Sequence, residues 1–255
     1  MNKTGISWTD LTWNPVSGCS KVSPGCQNCY AEAWAKRWHR SFEVTLHPEK
    51  LGEVEKIPAG SKVFVNSMSD LFHPDVPTSF INNVFLAIRR RPDVVFQILT
   101  KRPEQIKLRE NEIFPIPDNV WLGVSVEMPQ YVERIDELVR IRHDGIKWIS
   151  HEPLLADMGQ YQKFKFEMAH GIDWVVIGGE SGPRHRPMKI EWAANIIREA
   201  KRQGVPVWMK QLGGLRPGGE LEDFPEELRV RTFPAIERWS EAEKAVREYH
   251  EALGA

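Results

Sequence analysis

Six short runs of β-branched and aromatic residues punctuate the chain, each followed by a polar cluster and then by a stretch of helical character. The runs are Lys62 to Asn66, Val94 to Leu99, Val120 to Val124, Ile146 to Ile149, Asp173 to Ile177 and Val205 to Met209. They begin about 25 to 32 residues apart, the length of a strand plus a crossover helix, so the strands are expected to pair in parallel. Helices are predicted over Ser79 to Arg90, Pro129 to Arg142 and Lys189 to Gln203, the last stopping at Gly204 as a helix C-terminus does. A first strand within Ile6 to Trp13 and a helix over Tyr30 to Arg40 bring the expected count to about seven strands.

This alternation permits an open doubly wound sheet or a barrel. The strand ends favour the barrel. They carry Asn66, Ser67, Ser69 and Asp70; Thr100, Lys101 and Arg102; Ser125 and Glu127; His151 and Glu152; Glu180 and Ser181; and Lys210 and Gln211. In a barrel all such ends converge on one face, whereas an open sheet gathers only those near its switch point. The expected fold class is therefore α/β: a parallel (β/α) barrel, full or partial and of TIM-barrel type. From about residue 215 the pattern changes to Gly218-Gly219, Pro225-Glu226-Glu227-Leu228 and a charged stretch from about Ser240 to Leu253, which reads as a C-terminal helical cap. Residues 1–255 are expected to form one domain.

Charge excludes a global attraction to polyanions, because 34 Lys and Arg stand against 35 Asp and Glu. Any nucleic-acid contact must come from a local patch. The opening Met1-Asn2-Lys3-Thr4-Gly5 has no apolar segment, and no later run approaches the roughly 18 apolar residues of a membrane span, so a soluble, cytoplasmic protein without a membrane partner is expected. Ten tryptophans are present, and Trp8, Trp13, Trp34 and Trp38 flank the cysteines; most are expected to be core anchors with satisfied indole N–H groups.

All three cysteines lie in one segment, Trp13 to Tyr30, with the spacing C-x6-C-x2-C at Cys19, Cys26 and Cys29. An odd count within one short loop does not resemble a disulfide framework and points to metal. The C-x2-C half places two sulfurs on one ion or cluster, with Lys21 and nearby amides stabilising thiolates. A zinc site would need a fourth ligand such as His39 or His47. A four-iron four-sulfur cluster with three protein thiolates leaves one iron open, and three reduced, unliganded thiols are the remaining reading.

A three-cysteine loop after the first strand, followed by a parallel α/β barrel, resembles the radical S-adenosylmethionine superfamily. More closely, the Thr12 to Ala31 stretch resembles a largely phage-associated family of three-cysteine proteins. So do Asn66 to His73, Leu99 to Pro103, Gly123 to Glu127 and Gly178 to Gly182. The resemblance implies a 4Fe-4S cluster on the three cysteines and S-adenosyl-L-methionine on the open iron. It further implies one-electron cleavage to a 5′-deoxyadenosyl radical, with a donor such as a flavodoxin or ferredoxin. The chain departs from the commonest loop of that superfamily in its x6 spacing, in Asn28 where an aromatic usually precedes the third cysteine, and in the late position of Gly178-Gly179-Glu180.

Similarity to spore photoproduct lyase, a DNA-repair member of the superfamily, implies that Ser67 or Ser69, Lys101 and Ser125 contact the cofactor, with Tyr30 beside the third cysteine. Ser67 and Ser69 are equally explained as turn caps. Glu127 and Glu180 are candidate catalytic acids ahead of Glu152, against a reading of all three as a structural ion-pair network. Asp70 and His73 are expected to form a hydrogen-bonded turn in which they orient one another, ahead of a reading as metal ligands. Arg184 and Arg186 on the Ser181 to Pro187 loop, together with Lys210, are the cations placed to meet a nucleotide or nucleic-acid substrate, with exposed tryptophans as stacking surfaces. Two functions follow: a radical enzyme acting on a nucleic acid or nucleotide, or a non-catalytic zinc- or cluster-binding protein that binds nucleic acid or a protein partner.

Overall fold

The computed structural model describes residues 2–158, 161, 171–216 and 218–235. Its main sheet has eight strands in the order β1-β2-β5-β6-β7-β8-β9-β10: Asn2–Lys3 (β1), Leu11–Trp13 (β2), Lys62–Val65 (β5), Val95–Thr100 (β6), Val120–Ser125 (β7), Lys147–His151 (β8), Trp174–Gly178 (β9) and Val207–Gln211 (β10). β1 is antiparallel to β2, and every other pairing is parallel. Val16–Ser17 (β3) and Thr45–Leu46 (β4) form a separate antiparallel pair. The helices are Tyr30–Arg37 (α1), Thr78–Arg89 (α2), Glu104–Leu108 (α3), Glu133–Arg140 (α4) and Ile190–Arg202 (α5).

Alternate strand residues face opposite sides, and the two sides are chemically distinct. Val63, Val65, Phe96, Ile98, Leu122, Val124, Ile149, Val175, Ile177 and Met209 pack outward against α2, α4 and α5. α5 offers Ala193, Ala194 and Ala200 beside Ile196 and Ile197, small side chains that let its backbone approach closely. The concave side is filled by Trp8, Phe64, Trp121, Trp148 and Trp174. Their rings meet edge-on or tilted, with centroids 5.3 Å apart for Trp8–Trp148 and Trp148–Trp174 and 5.5 Å for Trp121–Trp174. Each such contact adds about 0.5–1.5 kcal/mol beyond area burial. Gly123 makes room, since a Cβ there would lie 2.4 Å from the Trp148 ring.

The curled sheet is a partial barrel, because among the described residues β10 pairs with neither β1 nor β2. The tail covers its free edge instead: Met209 N–H donates to Val230 O at 2.9 Å and Thr232 N–H to Val207 O at 2.8 Å. Side chains span the remaining gap. Trp208 Nε1 donates to Ser7 Oγ at 3.0 Å, and the Phe233 ring stacks 4.5 Å from Trp208 while Lys62 Nζ lies 4.8 Å over it.

The tail and the tryptophans differ in part from what the sequence implies. The described part of the tail forms single 3-10 turns, Leu221–Asp223 and Glu226–Leu228, and the expected helix over Ser240 to Leu253 lies outside the described residues. Trp8 and Trp13 are core anchors, but Trp34 and Trp38 are exposed because α1 turns them away from the barrel; Trp8 Nε1 finds no acceptor among the described residues. No described helix is long and apolar enough to cross a membrane.

Candidate functional site

The cysteine segment leaves β3 through Gly18, whose φ of 82° and 2.0 Å approach of a would-be Cβ to Glu43 O exclude any side chain. Cys19 follows, its N–H donating to Phe42 O at 3.1 Å. A single 3-10 turn, Pro24–Cys26, then reverses the chain, and Cys29 caps the N-terminus of α1. All three thiols are free and half-buried. They lie at the C-terminal face of the strands, tied down from three sides.

On the first side is Arg102, just past β6. Its guanidinium donates to Cys19 Sγ at 3.4 Å, Ser20 O at 2.8 Å, Ser20 Oγ at 3.0 Å and Asp70 Oδ2 at 3.3 Å. Asp70 also accepts from Thr100 Oγ1, Lys101 N–H and Phe72 N–H, so the ends of β5 and β6 are stitched to the first cysteine. Burial raises the Cys19 thiol and the Asp70 charge adds to this; Arg102 only partly offsets them. Asp70 and His73 form the expected hydrogen-bonded turn, His73 N–H donating to Asp70 O at 3.1 Å, while the His73 side chain pairs with Ser20 Oγ at 2.7 Å and Thr100 and Arg102 occupy the Asp70 carboxylate.

On the second side, beyond β7, Glu127 is fully buried, accepts the Gly25 N–H at 3.3 Å and pairs with Arg134 at 2.9 Å. On the third, beyond β9, Glu180 forms a two-pronged pair with Arg186, at 2.9 Å through Nε and 2.5 Å through Nη2, and accepts Asn28 Nδ2 at 3.0 Å. Burial would raise this carboxyl, but the bonds from Arg186 and Asn28 outweigh it and hold it below the usual carboxylate range. Arg186 also donates to Pro24 O at 3.0 Å. Glu127, Glu180 and Arg186 are thus engaged in holding the loop.

Between these anchors lie the remaining predicted residues. By strand alternation Ser125 faces the concave side at the end of β7 and is buried. Lys101 is half-buried at the end of β6 and carries no ion pair among the described residues. Lys210 pairs with Glu152 at 2.7 Å, and Glu152 also accepts Ser150 Oγ at 3.2 Å; Gly178 leaves room for that carboxylate. Tyr30 donates its hydroxyl to Ser67 O, so α1 leans over the mouth while the rest of the ring is exposed. Desolvation of the hydroxyl, with the Cys29 and Glu152 charges, keeps the phenol protonated well above its ordinary value. Ser67 Oγ donates to Asn14 Oδ1 and Ser69 Oγ to Val16 O, which serves the turn after β2. Arg184 is exposed, with its carbonyl accepting Asn28 Nδ2 at 2.8 Å. Sequence reasoning overlooked Arg102 and Arg134 as anchors; Arg102 sits inside the Leu99 to Pro103 motif, the one signal that pointed to it.

Among the described residues no three His, Cys, Asp or Glu side chains are gathered as the ligands of a single ion. His47 pairs with Ser17 Oγ at 2.8 Å and Glu49 at 3.2 Å, so both of its ring nitrogens are engaged. A cluster makes a different demand: each thiolate takes its own iron, so the sulfurs border a site instead of meeting at a point. Three free thiols on one anchored loop, with a cation at Cys19, fit that demand.

The model of a family described as "Protein of unknown function (DUF5131)" matches residues 3–249. A comparison with curated proteins finds no match. Among solved structures the chain is similar to spore photoproduct lyase complexed with dinucleoside spore photoproduct, at TM-score 0.52 and 11% identity over 79% of this chain and 63% of that one. A tyrosine-to-phenylalanine variant of the same enzyme aligns at TM-score 0.53 and 10% identity over 98% of this chain and 76% of that one. A double variant with bound AdoMet and dinucleoside spore photoproduct aligns at TM-score 0.51 and 9% identity, again with 63% of its length spanned. At these identities the likeness is one of fold.

Proposed function

Because the chain belongs to the DUF5131 family, whose description assigns no activity, the reading rests on the site, and we propose a radical S-adenosylmethionine-type enzyme acting on a nucleotide or nucleic acid. One observation carries it: three free cysteines on an anchored loop at the C-terminal mouth of a partial barrel with the fold of spore photoproduct lyase. Cys19, Cys26 and Cys29 would hold a 4Fe-4S cluster. When bound, the cluster and S-adenosylmethionine supply one-electron cleavage of the sulfonium to a 5′-deoxyadenosyl radical that abstracts a substrate hydrogen.

The chain's own residues do the rest. Lys101, which pairs with no carboxylate among the described residues, would meet the carboxylate of the methionine moiety, with the Ser125 hydroxyl as a further hydrogen-bond partner. Tyr30, next to the third cysteine and bonded to Ser67 O, and the Ser67 and Ser69 hydroxyls would border the cofactor. Glu152 and Lys210, neutralising one another within the mouth, present acceptors for ribose hydroxyls and a cation to the substrate. Glu127, Glu180 and Arg186 position the cysteines, which leaves Arg184 to meet a phosphate. A dinucleoside named with the similar enzyme supports the substrate class. Free thiols suit the reducing cytoplasm, where a flavodoxin or ferredoxin is a natural one-electron donor.

Anaerobic reconstitution tests the reading. The expected result is near-stoichiometric iron and labile sulfide with sulfur-to-iron absorption in the visible, and 5′-deoxyadenosine on reduction with S-adenosylmethionine. Stoichiometric zinc without sulfide would replace this reading with the non-catalytic one, and a cluster that never yields 5′-deoxyadenosine would restrict it to a structural or redox role.

A further inference from the structure

The helix that follows the third cysteine is turned inside out. Of the eight residues of α1 only Ala31 and Ala35 are buried, whereas Tyr30, Trp34 and Trp38, at its end, are 56%, 45% and 59% exposed. Burying two methyl groups while leaving three large rings in water reverses the usual economy of a surface helix. Spacing of four residues puts the rings on one face. At 1.5 Å per residue the stripe runs about 12 Å, from the barrel mouth, where Tyr30 bonds Ser67 O, out to Trp38.

Two arginines without a carboxylate partner among the described residues border the stripe. Arg37 and Arg40 are exposed beside it, and the Arg40 guanidinium lies 5.2 Å over the Trp34 ring. Glu32, the acid of the helix, is neutralised by Lys21 at 3.0 Å and Lys36 at 2.6 Å. Arg37 and Arg40 pair with no carboxylate among the described residues. Trp34 and Trp38 have ring centroids 6.4 Å apart at an interplanar angle of 52°. Two rings with one flat group between them stand about 7 Å apart, twice the ~3.5 Å contact distance. A modest rotation of either exposed ring would open such a slot.

We propose that the Tyr30–Trp34–Trp38 face of α1 binds single-stranded nucleic acid, stacking its bases on the rings while Arg37 and Arg40 meet its phosphates. Sequence-tolerant stacking combined with a basic border is how single strands are held without base-specific hydrogen bonds. The inference rests on the nucleic-acid reading given above and adds where the strand runs: along α1 and into the mouth at Tyr30. A protein whose net charge is −1 thereby concentrates its affinity for a polyanion beside the cysteine loop.

Fluorescence anisotropy with a labelled mixed-sequence 12-nucleotide DNA or RNA, using anaerobically purified protein, tests it. Trp34→Ala with Trp38→Ala should weaken binding about tenfold or more, since both stacking surfaces are lost. Trp34→Phe with Trp38→Phe should retain most of it. Arg37→Glu with Arg40→Glu should weaken binding and flatten its salt dependence. Leu108→Ala, at an exposed position away from α1, serves as the unchanged control, and circular dichroism melts confirm folding. Affinity within twofold of wild type for the double alanine variant overturns the proposal. So does equal binding of polyglutamate or of an abasic oligonucleotide, which would assign the face to an acidic protein or to charge alone. Production of 5′-deoxyadenosine without oligonucleotide binding would overturn this surface while leaving the reading of the cysteine loop intact.

Discussion

Single side chains divide into those that shape the site and those that only hold it. Arg102 is the strongest of the second kind: it and Asp70 have side chains 5% and 8% exposed, and the pair joins Cys19 to two strand ends. Replacing one member of a buried pair strands the other, so Arg102→Leu is expected to cost about 3–5 kcal/mol in urea denaturation. His151 is predicted to govern the acid limb of stability. It is fully buried, donates Nδ1–H to Val126 O, and desolvation lowers its pKa to about 4. The unfolded chain therefore binds this proton from about pH 6.5 downward, while the folded chain does not until about pH 4. Stability is complete above that window and falls through it, by about 3 kcal/mol at its lower end. Desolvation lowers His73 and His143 as well, with the same sign. Denaturation at pH 7.5 and pH 5 should show the loss, and His151→Gln should flatten the slope. The thiols and the strand-end acids were legible as residue types, whereas the tasks of the acids were not.

At the level of elements, the loop from Gly18 to Cys29 has no regular structure beyond one 3-10 turn and keeps its shape through bonds to β6, β7 and β9. Arg186→Leu tests this dependence. It leaves the Glu180 carboxylate, 5% exposed, without its main partner. The expected loss is about 2–3 kcal/mol, below the full buried-pair value because Arg186 itself is 28% exposed. Tryptic cleavage at Lys21 should accelerate, and Glu180→Gln combined with Arg186→Leu should recover part of the stability. Absence of faster cleavage would show that the loop holds its shape unaided. The strands and longer helices followed from β-branched runs and apolar periodicity, to within a few residues. β1, β3 and β4, each two residues long, and the 3-10 stretch Pro48–Lys56 carry no such period and arise only from what they dock against.

For the whole molecule, the open side of the barrel is the decisive feature. Phe233 lies against Trp121, Trp174 and Trp208 across that opening, with centroids 6.2, 5.5 and 4.5 Å away. Phe233→Ala should therefore cost about 2 kcal/mol, less than the ~3–5 of a fully enclosed phenylalanine. A thermal melt lowered by a few degrees checks it; an unchanged melt would mean that the tail does not help to close the barrel. The parallel α/β order, the three clustered thiols of Cys19, Cys26 and Cys29 and the polar strand ends were determined by the sequence alone, because strand alternation, helix period and residue type are local properties. Three matters were decided only by the tertiary structure. The sheet stays open at β10; Glu127 and Glu180 bond to the cysteine loop while Glu152 pairs with Lys210; and Trp34 and Trp38 face water. The reason is distance along the chain. Gly25 meets Glu127 across 102 residues, Asn28 meets Glu180 across 152, and Cys19 meets Arg102 across 83. No local period encodes such pairs, which exist only once the strands have curled.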